Sequence, residues 1–370
     1  MQIERRAFLR AASAAALTLL GPALPRALAG GSAVRYLSAC ELPDGRFAVA
    51  EFDPLGMVVR TMPLPDRGHG FAVSADRTRA VAFARHPRTF GVAFTVGGGE
   101  EPVLFSAPDG RHFYGHGVFA AGGSLLLATE NDYDDARGVI GIYDATDRYR
   151  RIGEFDSHGV GPHELIMTRD GRTVAIANGG IETHPDAGDA KLNLPTMAPS
   201  LVFIDAEHGD VRAEHRLDAA LHQLSIRHLA LDADGLVWFG CQYEGAAADQ
   251  PPLLGRAGVD AAPLMIGEPG DVRLSLRNYI GSVASSADGQ LIAASSPRGG
   301  RILLVDLAGR VVATEALADG CGLAPLATPR GFVATSGSGS VVAIGQPGTA
   351  TLLATDDVAF DNHIGSAILA

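Results

Sequence analysis

The sequence predicts an all-β fold, a seven-bladed β-propeller, on three observations. Short apolar runs of about five to eight residues alternate with Asp-Gly, Gly-Gly and Pro-containing turns. An opening motif centred on Gly-His recurs at intervals that suit four-stranded blades of about 40–50 residues. The last repeat stops after a single strand, which leaves a blade to be completed from the other end of the chain.

In chain order, residues 34–64 supply three candidate strands, 34–41, 46–52 and 57–64. The first full unit opens at Gly68-His69-Gly70-Phe71 and the second at Gly115-His116-Gly117-Val118. The third opens at Gly161-Pro162-His163-Glu164, and its long interval holds a polar, Gly/Pro-rich insertion over 178–200, read as a loop over one face. The fourth opens at Ile226-Arg227-His228-Leu229, and two weaker copies follow at Gly281-Ser282-Val283 and Cys321-Gly322-Leu323. Asn362-His363-Ile364-Gly365 starts the seventh. The spacings from His69 through His116, His163, His228, Ser282, Gly322 and His363 are 47, 47, 65, 54, 40 and 41 residues. One C-terminal strand over 364–369 docked beside the three N-terminal strands would close the ring and cover both sheet edges, which otherwise invite aggregation.

Residues 1–29 read as a signal peptide and 30–370 as a single propeller domain. Glu4-Arg5-Arg6-Ala7-Phe8-Leu9-Arg10, the Ala/Leu run 11–20 and Ala27-Leu28-Ala29 describe a basic start, an apolar stretch and a small-residue cleavage site. The adjacent arginines are of the twin-arginine type, so the expected location is the periplasm, reached by export in the folded state. The apolar run is too short to span a bilayer, and no membrane span is expected in the mature chain. Removing four arginines and one glutamate takes the net charge from −12 to −15. That excess of acid disfavours phosphate-rich partners, so nucleic acid is excluded. Cys40, Cys241 and Cys321 are odd in number and widely spaced, which reads as buried thiols with their disulfide status open. Trp238, in a β run after a turn, reads as core between blades.

The first strand of each propeller blade lines the central channel, so equivalent positions at its start converge on one ring. His69, His116, His163, His228 and His363 hold that position in five of seven units, out of twelve histidines in the chain. A single such imidazole would read as a strand cap. Five neutral imidazoles brought together call for a ligand, and a transition metal is the species imidazole suits. Glu164, next to His163, is a candidate oxygen ligand. Arg67, Arg111 and Arg227 precede ring positions and are candidates for holding a small anionic ligand. Tyr114 and Tyr279 are placed to wall the mouth. His158 and His184 fall on loops, and His86, His112, His208, His215 and His222 receive no role.

The twin-arginine start, the Gly-His-Gly openings, Gly159-Val160-Gly161-Pro162-His163-Glu164-Leu165 and the closing Phe360-Asp361-Asn362-His363 resemble an uncharacterised family of exported bacterial seven-bladed propellers, a domain of unknown function. The resemblance spans nearly the whole chain. Members are often encoded beside imelysin-type iron-uptake proteins, which implies a periplasmic, metal-related role. Gly161-Pro162-His163 also resembles part of the Gly-Pro-Arg-His segment of seven-bladed lactonases, though Glu164 follows here and no Arg precedes the His. Nitrous-oxide reductase is similar in holding a copper cluster with channel histidines. This sequence lacks that enzyme's cupredoxin domain and has histidine at only five of seven ring positions.

The resulting expectation is a periplasmic metal-binding propeller in iron or copper handling, with His69, His116, His163, His228, His363 and Glu164 as ligands or supports. Five imidazoles exceed what one tetrahedral ion needs, so a cluster or haem stands beside a single ion as the expected cofactor. The alternatives are a lactonase-like hydrolase at the same mouth and a scaffold for a periplasmic protein partner. Catalytic residues are not assigned.

Overall fold

A computed structural model describes residues 34–345 and 349–369; the signal-peptide reading lies outside the described residues. Seven antiparallel sheets form a ring. Each of six consecutive segments, residues 68–106, 111–156, 162–216, 224–266, 282–316 and 320–355, folds into one four-stranded blade in simple up-and-down order. The first strands of neighbouring blades pack side by side around the central channel and close the circle.

The seventh blade is built from both ends of the described chain, as the arithmetic of repeats requires. Strands Val34–Glu41, Phe47–Phe52 and Val58–Pro63 pair in order, and the tail adds Gly365–Ile368 against the first of them, with Leu37 opposite Gly365 and Val34 opposite Ile368. The tail contributes one element more than the repeats suggest. A two-residue strand, Ala359–Phe360, pairs with Cys40 and Glu41, and the chain leaves the sheet between the two pieces. His363 sits in that gap.

The local reason for the repeat is turn chemistry. The hairpin after the inner strand carries a Ser or Thr bonded to an Asp two residues on: Ser74 to Asp76 at 2.5 Å, Thr168 to Asp170 at 2.8 Å and Ser286 to Asp288 at 2.7 Å. That Asp also accepts from backbone N–H groups beyond it, an Asx turn that fixes the reversal. Gly171 follows such an aspartate, Asp170, and Gly235 closes the hairpin in which Asp232 accepts from Asp234 and Leu236 N–H; their φ values are +65° and +84°, and a Cβ at either would meet nothing within 4 Å. Glycine is needed there for its left-handed backbone and not for room.

The core lies in the wedges between adjacent sheets. Each apolar cluster combines residues of neighbouring blades; Phe83, Phe113, Phe105 and Tyr143, for example, join the first blade to the second. Trp238 is fully buried in the largest wedge, and its indole N–H donates to Asp232 at 2.8 Å. Cys40, Cys241 and Cys321 are buried free thiols. Among the described residues no helix is long and apolar enough to cross a membrane.

Candidate metal centre

The inner strands carry a shared irregularity where the imidazoles stand. Between Gly68 and Phe71, Phe113 and Gly117, Pro162 and Glu164, and Ile226 and His228, the register against the second strand slips. The inner strand has one residue too many, or two in the second blade. Such bulges re-aim side chains, because two successive residues no longer point to opposite faces. That is how the consecutive residues His163 and Glu164 both reach the ring, and how Arg227 and His228 both line the same cavity.

His69, His116, His163, His228 and His363 are all buried, with 1–9% of each residue exposed. Their ring centroids stand 4.6–6.2 Å apart in eight pairings, from His116–His363 at 4.6 Å to His116–His228 at 6.2 Å. Small residues make the packing possible. A Cβ on Gly70 would fall 2.9 Å from the His116 ring, and one on Gly115 would fall 2.5 Å from His69 Cδ2. One glycine of each Gly-His-Gly opening, Gly70 and Gly115, thus makes room for the histidine of the neighbouring blade.

Two triads bring one ligand atom per residue within 4.8 Å of one another: His69, His116 and His363, and His116, His163 and His228. They differ in what already occupies their nitrogens. In the first, His69 Nδ1, His116 Nε2 and His363 Nε2 are buried without a hydrogen-bond partner. In the second, Arg227 Nη1 lies 3.4 Å from His163 Nδ1. Arginine only donates, so this contact leaves the His163 proton on Nε2. His228 Nδ1 lies 3.3 Å from Glu164 Oε2, the carboxylate–imidazole contact that orients metal-binding histidines.

The electrostatics keep the imidazoles neutral. Burial pushes His69, His116 and His163 well below the ordinary histidine range, and neighbouring imidazoles or Arg227 push the same way. His228 and His363 fall to about 3, again chiefly through burial. At neutral pH the ring therefore offers lone pairs and not charges. Burial raises Glu164 to about 7, against the opposing pull of His363 and the Leu229 N–H. Its Oε1 lies 3.9 Å from His116 Nδ1. Asp361 Oδ1 lies 3.6 Å from His69 Nδ1, while its other oxygen takes Arg67 at 2.5 Å.

Above the ring opens a cavity of ≈ 350 Å³, with His69, His163 and His228 among its lining residues. Tyr114 and Tyr279 wall it, and the inserted loop contributes Thr183, Asp189 and Lys191 to its side. The loop therefore lies over the same mouth as the histidines, tied down by Asn193 to Gly180 and by Gln223 to Leu194. Of the three arginines singled out from sequence, only Arg227 lines this cavity. Arg67 is paired with Asp361 and lines a neighbouring cavity of ≈ 240 Å³ that shares Asn362. Arg111 is taken up by Glu154, Glu130 and Asp132 between the strands of the second blade.

Arg85, His86 and Arg298 also line the mouth and were not found from sequence. They follow the second strands Arg79–Ala84 and Leu291–Ser296. An antiparallel second strand ends where the first begins, so residues just after it return to the same mouth. That position was the available signal. Of the two loop histidines, His184 packs on Tyr133 and faces Asp134, and neither it nor His158 lines the cavity.

A family model described as "Protein of unknown function (DUF1513)" matches residues 62–367, and the chain belongs to that family. No curated protein matches in sequence. Among solved structures, hydrazine synthase of Kuenenia stuttgartiensis is similar at 13% identity and a TM-score of 0.59, over 86% of this chain and 95% of that one. At that identity the likeness shows the propeller fold alone.

Proposed function

We propose that this member of the DUF1513 family is a metal-binding propeller that holds a late first-row transition metal between His69, His116 and His363, in periplasmic iron or copper handling. Two observations support the reading: His69, His116 and His363 can bring one ligand atom each within 4.8 Å of one another, and each of the three has a buried ring nitrogen without a hydrogen-bond partner. Each such nitrogen forfeits its hydration on folding without a bond in return, and orphaned buried polar groups of this kind call for an ion or another partner. An all-imidazole donor set suits iron, copper or zinc and disfavours magnesium or calcium. Imidazoles packed at 4.6–6.2 Å leave no space for a macrocycle among them, which favours an ion over haem. Glu164 and Asp361 are the oxygen donors close enough to complete or support the site.

Elemental analysis and absorption spectroscopy of the natively exported protein test this. Bound metal that is lost when His69, His116 and His363 are all changed to alanine is the expected result. Equal metal content in the wild type and that variant would overturn the reading.

A second reading has one observation in its favour. Glu164, raised to about 7 beside two imidazoles, has the proton affinity of a general base at neutral pH. A hydrolase using it would turn over lactones with Glu164→Gln inactive, whereas a metal carrier would be inert to the same panel.

A further inference from the structure

The chain is strongly acidic, at −12 overall, yet the wall of the cavity above the ring is basic. Arg227 sits deepest. Its Nε donates to Ser225 at 2.9 Å and its Nη1 approaches His163, and among the described residues it forms no ion pair. Arg85 stands beside it, with Nη1 buried and lacking a hydrogen-bond partner; its one ion-pair contact, at 3.7 Å, is to Asp361, a carboxylate it shares with Arg67. At the rim Arg298 Cζ lies 4.1 Å from the centroid of the Tyr279 ring, and Arg298 too is without an ion pair among the described residues. Lys191 is neutralised by Glu244, and Asp189 is the one acidic residue lining the cavity.

Three guanidinium groups, Arg85, Arg227 and Arg298, converge on a cavity whose lining holds one acid, Asp189. With acids in excess, a guanidinium on the surface has carboxylates to choose from, as Arg111, Arg137 and Arg151 show in the second blade. Burial penalises the charge on Arg227, Glu244 and the two tyrosines offset part of that cost, and Arg85 adds a smaller repulsion. An arrangement that costs energy in the empty protein is one that a negative ligand relieves.

We infer that this vestibule is a binding site for a small organic di- or tricarboxylate, held by Arg85, Arg227 and Arg298 against the Tyr114 and Tyr279 walls. Guanidinium forks match carboxylates two bonds at a time. The arginines run from floor to rim, so a ligand that meets them all carries charge at more than one end. A cavity of ≈ 350 Å³ lies at the small end of organic-ligand pockets and exceeds the needs of a bare inorganic anion. The site does not rest on the metal reading, since Arg85, Arg227 and Arg298 line the cavity whether or not the imidazoles hold an ion.

Isothermal titration of the full chain after EDTA treatment, with citrate as probe, tests it. Saturable citrate binding is expected, with inorganic phosphate weaker and acetate silent. Arg85→Gln and Arg298→Gln should each lower citrate affinity about tenfold, the loss of one charge-assisted contact, while Arg310→Gln on the outer surface should leave it unchanged. His116→Ala should also leave it unchanged, which separates this site from the metal centre. Arg298 is exposed, so its variant carries the test even if Arg85→Gln folds poorly. Absent citrate binding, phosphate binding as tight as citrate, binding that vanishes with EDTA, or Arg298→Gln binding like wild type would each overturn the inference.

Discussion

Five blades begin their inner strand with an imidazole, and two, the fifth and sixth, place Ser282 and Gly322 there instead. Both kinds build a four-stranded sheet, to which the seventh blade adds one two-residue strand. In the sixth blade a Cβ at Gly322 would lie 2.4 Å from Thr335 Oγ1, so nothing larger fits without a shift. In the fifth, Ser282 starts a strand with no register slip at all. The propeller therefore does not need histidine at this position. Where two blades contribute almost no side chain, His228 and His363 meet across the gap at 5.0 Å and the five rings close on themselves.

That contrast can be broken by mutation. The largest effect belongs to the triple change of His69, His116 and His363 to alanine. Metal titration should then show no saturable site, while the thermal midpoint of the metal-free protein holds or rises, because three buried orphan nitrogens are gone. A collapse in stability comparable to a core deletion would return the histidines to a structural role. Trp238→Ala is the opposite case: urea unfolding should report a loss of about 3–5 kcal/mol, with metal binding at the folded plateau unchanged.

Glu164→Gln keeps the size of the side chain and removes the carboxylate facing His228 and His116. Metal affinity measured by competition with a chelator should fall about 10–100-fold, the usual cost of losing an orienting carboxylate. An unchanged affinity would mean that Glu164 serves something else.

The pH dependence of the metal-free protein sharpens the same comparison. His228 and His363 are depressed to about 3 in the folded state. Below their unfolded value of 6.5, the unfolded chain binds protons that the native ring refuses. Stability is therefore full above that pH and falls as pH drops toward 3, each group adding a slope of about 1.4 kcal/mol per pH unit. Glu164 works in the other direction: raised to about 7, it binds a proton in the native state, and its contribution is lost as pH rises from 4.5 through 7. Denaturation midpoints of His228→Ala/His363→Ala should show a flatter acid limb than wild type; an identical limb would contradict the buried, neutral assignment.

Much of this was legible in the sequence, for reasons that differ by residue. Blade count and closure follow from local turn chemistry, and hairpins such as Thr168 to Gly171 are specified within a few residues. The histidine ring was legible because propeller symmetry converts a repeat position into a place. The bulges were not, since a register slip at His163 leaves no mark in apolar periodicity, and with them went the knowledge that Glu164 would turn toward His228. Arg111 reads like Arg227 in one dimension, but Glu154 and Glu130 claim it across strands. Arg85 and His86 lie outside the opening motif and became visible only through the antiparallel pairing of the first two strands.

The most direct test is anomalous diffraction from crystals soaked in copper or zinc. An ion located about 2.0–2.1 Å from nitrogens of His69, His116 and His363, the usual imidazole bond length, is the predicted result. No anomalous peak inside the ring, or a peak held by surface residues alone, would contradict it.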